Sequence, residues 1–217
     1  MTQLFNLSKF NFVLLLLLWT ISIAGLFIIP LSAPTPIHWN LMGEPDGFAP
    51  GWLSVMLPAL IGTAVLGFIA WISRTISEQD LQAGRAGIER GATIILLVMA
   101  VVSLVIILNA MGQELHVPKI VALLIGAVLI ALGDILPKSQ PNSVSGIRLP
   151  HTLNNVDVWR ITHRWAGRFF VVSGMILILF AVFVQQPTHL LIAILATVLA
   201  PIVASVVISF RVAGTKE

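Results

Sequence analysis

Cysteine is absent from the 217 residues, which excludes disulfides, thiolate metal centres and thiol chemistry. Charge is scarce: Asp, Glu, Lys and Arg together make up 10%, against about 25% in a soluble domain. Hydrophobic residues fill 58% of the chain, and its mean hydropathy is +1.00. A water-soluble fold has too little interior to hide that much apolar surface, so the solvent must be a bilayer. A water-soluble enzyme and a disordered chain are both excluded. An outer-membrane barrel fits poorly, because the apolar residues run unbroken instead of alternating. The pI near 10 does not point to nucleic acid, and no direct contact with one is expected. A net charge of +3 on a membrane chain reflects which loops face the cytoplasm.

What is present is a series of charge-free stretches, each near the roughly 20 residues a crossing helix needs. Phe10 to Pro30 is the first. Gly47 to Ser73 is the second, with Trp52 and Trp71 bracketing it as interfacial anchors. Gly91 to Ala110 gives a third, and Val117 to Leu136 a fourth, with Lys119 at one end and Asp134 near the other. Phe169 to Phe210 is uncharged over 42 residues, enough for two crossings, and Gln185-Gln186-Pro187-Thr188-His189 breaks it near the middle. The sequence therefore predicts an all-α polytopic membrane bundle of six helices. Lys9 before the run and Leu31-Ser32-Ala33 after it, which resembles a small-residue cleavage site, imitate a signal peptide. The apolar run exceeds a signal core, and Pro34 would follow the cut, so the segment is expected to be retained.

Lys9, Arg74, Arg85, Arg90, Lys138, Arg148, Arg160, Arg164, Arg168, Arg211 and Lys216 all fall on one side of such a six-span chain; only Lys119 falls on the other. The positive-inside rule then puts both termini in the cytoplasm of a bacterial plasma-membrane protein. Three segments follow: 1–72, the first two spans with an outer loop; 73–136, a cytoplasmic loop with spans three and four; and 137–217, a second cytoplasmic loop with spans five and six.

Two loops are long enough to carry function. The outer one reads Pro34-Thr35-Pro36-Ile37-His38-Trp39-Asn40-Leu41-Met42-Gly43-Glu44-Pro45-Asp46-Gly47-Phe48. Its alternation predicts a short extended piece with His38 and Asn40 on one face, then a tight turn over Glu44-Pro45-Asp46-Gly47. His38, Asn40, Gly43, Glu44 and Asp46 form either a recognition site or a self-satisfied lid. His38, Asp46 and His116 are weak candidates for a metal site, since no helical ligand spacing joins them. No cofactor is expected.

The inner loop reads Gly146-Ile147-Arg148-Leu149-Pro150-His151-Thr152-Leu153-Asn154-Asn155-Val156-Asp157-Val158-Trp159-Arg160-Ile161-Thr162-His163-Arg164-Trp165-Ala166-Gly167-Arg168. Asn154 is the expected N-cap of a helix that runs on into the fifth span. Arg160, Arg164 and Arg168 share one face of it, and Trp159 and His163 an adjacent one. Arg148, Pro150, Thr152, Trp159, His163 and Arg164 are the inner candidates: a cationic, aromatic platform for an acidic partner or a phosphate, or else interfacial anchors. Asp134 is either a proton relay or an interfacial carboxylate paired with Lys138 or a fourth-loop arginine. Gly62 and Gly67 are expected to permit close helix packing.

At these loops the chain resembles the SdpI family of bacterial immunity-type membrane proteins. Pro36-x-His38-x-Asn40, followed by Gly43 and Asp46-Gly47, resembles a small N-terminal domain of unknown function found in many members. Gly146-Ile147-Arg148-x-Pro150-x-Thr152-Leu153, followed by Val158-Trp159, Thr162-His163 and Gly167, resembles the family's second signature. Leu149 and His151 depart from it, the latter where an aromatic residue is common. The resemblance implies a relative of proteins that protect a producing cell from its own secreted toxic peptide, and that hold a cognate transcriptional repressor at the membrane. The expected partners are thus membrane lipids, a secreted toxic peptide and a cytoplasmic repressor. A membrane-embedded enzyme with His163 as general base and Arg148 holding a phosphate is one alternative. A small transporter coupled through Asp134 is another.

Overall fold

The computed structural model describes residues 8–215, so Lys216 lies outside the described residues. Among the described residues, six helices are long and apolar enough to cross a membrane. They are α1 (Lys9–Ile28), α2 (Gly51–Ile72), α3 (Glu78–Ala110), α4 (Val117–Ile135), α6 (Val156–Phe183) and α7 (Pro187–Gly214). A one-turn helix, α5 (Pro150–Leu153), precedes α6, and a short 3₁₀ turn, Leu136–Lys138, follows α4. Two strands, β1 (Pro34–Trp39) and β2 (Pro45–Pro50), pair between α1 and α2. The described residues form two compact units, one of 8–74 with 92–120, the other of 75–91 with 121–215.

In the first unit, Leu18, Ala59, Leu66, Ala92 and Leu96 form one core cluster, and Ile29, Val55, Ile106 and Ile107 a second that receives Trp39 from the hairpin. Gly62 permits this packing as expected: a Cβ there would lie 2.9 Å from Leu18 and 3.1 Å from Leu96. Gly67 has no such role, since a Cβ there would meet nothing within 4 Å. Buried Asn11 is satisfied inside the unit by the Thr93 hydroxyl, which donates to its Oδ1 at 2.6 Å.

The second unit is held by glycines that the sequence pattern did not single out for packing. A Cβ on Gly133 would sit 2.6 Å from the Gly167 carbonyl oxygen, and one on Gly174 would sit 2.5 Å from that of Gly126. Two glycines seven residues apart on α4 thus oppose two on α6 in antiparallel order, and the backbones touch. Small residues allow such approach in lipid, where dispersion and not water drives association. Replacing Gly133 with Leu is expected to lower detergent-solubilised stability by about 3 kcal/mol through overpacking, while Gly67→Leu leaves it nearly unchanged. Thermal unfolding of the pair measures the difference.

Three local expectations are corrected. The segment Glu78–Arg90 is the start of α3 and not a loop. Its Glu78 and Asp80 suit a helix N-terminus, and Arg85 pairs with Glu89 at 2.9 Å, one turn on. The N-cap of α6 is Asn155, whose side chain accepts from the Asp157 and Val158 N–H groups, while Asn154 ends α5. In the outer loop, Pro45-Asp46-Gly47 lies in β2, and the turn falls at Asn40–Glu44.

Candidate functional site

The outer hairpin assigns a task to each residue of its motif. Asn40 makes the turn: its Oδ1 accepts the N–H groups of Met42 at 2.9 Å and Glu44 at 3.0 Å, and its amide donates to the Glu44 carboxylate at 3.0 Å. Such a side-chain mimic of a backbone turn is what Asn does best. Gly43 supplies φ +84° next to Pro118, where a Cβ would come within 2.6 Å of the ring. The register of β1 on β2 slips on both sides of His38, a bulge that re-aims this side chain. Gly47 stands opposite, where a Cβ would press on the His38 Cβ at 2.8 Å. What remains for chemistry is the pair itself: His38 Nδ1 lies 2.5 Å from Asp46 Oδ1, with side chains 71% and 45% exposed. The His38 Nε2 has no partner among the described residues.

The hairpin is anchored on α2. Pro50 provides no side-chain cap, and the first N–H groups of the helix, from Gly51 and Trp52, go instead to the carbonyls of Ala33 and Leu31 at 3.1 Å each. The buried Ser54 hydroxyl lies within 3.4 Å of the carbonyls of Thr35, Ala49 and Pro50.

The inner motif is built differently. Trp159 and His163, one turn apart on α6, stack at 3.9 Å with 19° between planes, and each is 1% exposed. The Trp159 indole donates to the Ser139 carbonyl at 3.1 Å. His163 Nδ1 faces the Trp159 carbonyl at 2.8 Å and so carries the proton; Nε2 accepts the Ile147 N–H at 2.9 Å. Both ring nitrogens are therefore occupied, which leaves none to act as a general base. Gly146, at φ +107°, brings the loop over this pair, where a Cβ would lie 2.5 Å from His163 Nε2. Thr152 is wholly buried; its hydroxyl accepts the Leu149 N–H at 2.9 Å and donates to the Ile147 carbonyl at 2.7 Å. Pro150 opens α5, where its missing N–H costs nothing.

Sequence reasoning missed the first part of the inner loop, which closes over this pair. Asn142 is buried and accepts the N–H groups of Val144 at 2.8 Å and Ser145 at 2.7 Å, and Asp80 of α3 holds the Ser143 hydroxyl at 2.7 Å. The signal was there in Pro141-Asn142-Ser143, a turn-forming sequence. Arg148 is held within the same loop, donating to the Ser143 carbonyl.

The model of the SdpI/YfhL protein family matches residues 138–209. Those residues run from the loop behind Trp159 to Ser209, the α7 hydroxyl that meets His151 at 3.0 Å. Over that part of the chain the sequence is similar to the SdpI family. It is similar to the immunity protein SdpI of Bacillus subtilis (strain 168), 23% identical over 181 residues that cover 83% of this chain and 84% of that one. No solved structure matches it.

Among the exposed cations of this SdpI-family region, Arg160 pairs with Asp157 at 2.7 Å, and Arg168 lies 4.9 Å over the Trp165 ring. Arg164 is exposed on the same helix. Just before the region, Asp134 is bound by Lys138 at 2.5 Å and by Arg90 of α3 at 3.4 Å, so its second cation comes from the preceding helix and not from the fourth loop. The carboxylate is thus held between two cations. His116 accepts the Lys119 N–H at 3.2 Å at the start of α4, and among the described residues no three His, Asp or Glu side chains gather to hold a metal.

Thr162, beside His163 in the SdpI-family motif, is buried, and its hydroxyl has no hydrogen-bond partner among the described residues. Replacing an orphaned buried hydroxyl by a methyl of the same shape relieves a desolvation penalty. Thr162→Val is therefore expected to leave stability equal or raise it by about 1 kcal/mol, measured by thermal unfolding in detergent. A marked fall would show that the hydroxyl meets a partner.

Proposed function

We propose that this chain is an immunity-type protein of the plasma membrane, with both termini cytoplasmic, whose hairpin recognises a secreted toxic peptide or envelope ligand outside the cell. The observation that carries this reading is the contrast in exposure between the two motifs. His38 and Asp46 stand open on a folded, anchored hairpin, whereas Trp159, His163 and Thr152 are buried and spent on one another and on the backbone. Leu41, Met42 and Phe48 are also exposed on the hairpin. An ionisable pair flanked by apolar side chains suits an amphipathic peptide, which offers a charge and a greasy face together. The relative's name, an immunity protein, is consistent with this class of ligand.

On the cytoplasmic side the exposed Arg164, with Arg160 and Arg168 a turn to either side, is the surface left for a cytoplasmic regulator. It is a cationic stripe suited to an acidic protein face.

The test is survival. A sensitive bacterium expressing the chain is challenged with secreted toxic peptides, and wild type is compared with His38→Ala/Asp46→Ala and with an Arg164→Ala variant. Protection lost in the hairpin variant at unchanged membrane level supports outward recognition. Protection retained by it sinks the proposal.

A further inference from the structure

The inner loop is tied to α6 through a titratable side chain. His163 Nδ1 donates to the Trp159 carbonyl at 2.8 Å, and Nε2, which carries no proton, accepts the Ile147 N–H at 2.9 Å. Nε2 can accept only while the imidazole is neutral. A second proton turns this acceptor into a donor, so that two N–H groups face each other. The loop has no slack to absorb the change on that side, since even a Cβ on Gly146 would fall 2.5 Å from Nε2. We infer that the loop of 139–147 is an acid-released latch: protonation of His163 at Nε2 drives it off α6 and uncovers Trp159. The sign follows from counting protons. The closed loop binds none at Nε2 and the open loop binds one, so a fall in pH favours opening.

A charged imidazole could stay in place only if a carboxylate met it. Among the described residues none pairs with His163, and those on the surrounding elements are engaged or in solvent. On α3, Asp80 accepts from the Ser143 N–H and hydroxyl, Glu89 pairs with Arg85, and Glu78 is exposed. At the end of α4, Asp134 is held by Lys138 and Arg90, and on α6 Asp157 pairs with Arg160. The other charged groups are cations: Arg148 of the loop, Arg164 and Arg168 of α6, and Arg211 of α7. A buried charge without a partner is costly, and His163 is 1% exposed, so the loop yields first. The neighbouring histidine, His151 of α5, is set differently. Its Nε2 lies 3.0 Å from the Ser209 hydroxyl, which can donate or accept, so a proton there breaks no contact. Release of the loop uncovers apolar surface. Besides Trp159, it opens a cavity of about 270 Å³ in which Ser145, Gly146 and Ile147 face Leu132, Leu136 and Phe170. None of this involves the hairpin or its ligand.

The chain has 6 tryptophans, so the full-length protein in detergent, labelled with 5-fluorotryptophan, reports on each by fluorine NMR, with Trp159→Phe identifying the one that matters. A soluble gadolinium chelate broadens the resonances of rings that solvent reaches. The pH is lowered from about 8 to about 5, which spans the titration of a solvated imidazole near 6.5. Trp159 is expected to be protected at the upper end and broadened at the lower. Its open fraction should rise by up to about tenfold per pH unit, the slope that one proton allows. Trp19, bonded to Thr63 at 2.9 Å in the other unit, should not change, which separates release of the loop from unfolding. His163→Gln retains an acceptor for the Ile147 N–H but takes up no proton, and should keep Trp159 protected throughout; His151→Gln should open as wild type does. Trp159 protected at pH 5 in wild type, or exposed there in His163→Gln, overturns the latch. A second readout needs no variant. In wild type with nitrogen-15 histidine, one imidazole should pass from the neutral Nδ1–H tautomer to the doubly protonated ring over the pH range in which Trp159 is uncovered. A neutral tautomer that persists after Trp159 is exposed also overturns it.

Discussion

Gly146→Ala is expected to lower the unfolding temperature of the solubilised protein more than any other single methyl added to the inner loop. Two costs coincide at that position. The backbone is at φ +107°, which a side chain tolerates at roughly 1–2 kcal/mol of strain. The added Cβ would also fall 2.5 Å from His163 Nε2, the atom that accepts the Ile147 N–H, and 3.1 Å from the Trp159 ring. The ring must shift, the hydrogen bond breaks, and a partly buried N–H is left unpaired at a further cost of about 1–3 kcal/mol. The total, near 3 kcal/mol, corresponds to a fall of roughly 6–12 °C for a chain of this size. His163→Phe tests the second cost alone, since it keeps the stack on Trp159 but removes the acceptor, and should produce a smaller fall. A Gly146→Ala protein as stable as wild type would show that the loop does not close over the Trp159–His163 pair.

The six crossings were legible in the sequence because lipid demands unbroken apolar runs, and no amphipathic compromise obscures them. The hairpin was half legible. β1 alternates openly, but β2 is Pro-Asp-Gly-Phe-Ala-Pro, a composition that reads as turn. Both strands of a two-stranded sheet are edges, so prolines at the ends of β2 remove no ladder bond from a third strand. The first turns of α3 were hidden for a related reason. Their glycines and mixed charges look like a loop, and what orders them is remote in sequence. Asp80 binds Ser143, and a Cβ on Gly87 would lie 2.6 Å from the Ser145 hydroxyl. The α4–α6 glycine seam has no local signature at all, since each glycine matters only through the backbone opposite it.

The candidate residues separated in a way that spacing could not show. Helical periodicity put Trp159 and His163 on one face, and that was right. Whether the face met solvent, lipid or the protein itself depended on the loop of 139–147 folding back over it. Its turn chemistry, through Asn142 and Gly146, is local, but its destination is not. Asp134 gave the opposite lesson: Lys138 at i+4 was the readable partner, and Arg90, 44 residues away, was the unreadable one.

The outer pair should show a dissociation between stability and function that the inner lock cannot. An exposed ion pair contributes only about 0–1 kcal/mol to folding, so His38→Ala and Asp46→Ala should each shift the unfolding temperature by no more than about 2–4 °C. If the pair meets the ligand, each substitution removes a charge-assisted contact worth about 1.5–3 kcal/mol, and protection against a peptide the wild type resists should fall roughly tenfold or more. Asn40→Ala should behave otherwise. It frees the N–H groups of Met42 and Glu44, loosens the turn that positions the pair, and so should lower hairpin order and protection together. The interchange His38→Asp with Asp46→His keeps the pairing and reverses its direction. Recovery of stability without recovery of protection would show that the ligand reads the His38 Nε2 in its place above the bulge, and not merely an intact ion pair. Recovery of both would reduce the pair to a clasp for the hairpin, and recognition would then have to pass to the exposed Leu41, Met42 and Phe48.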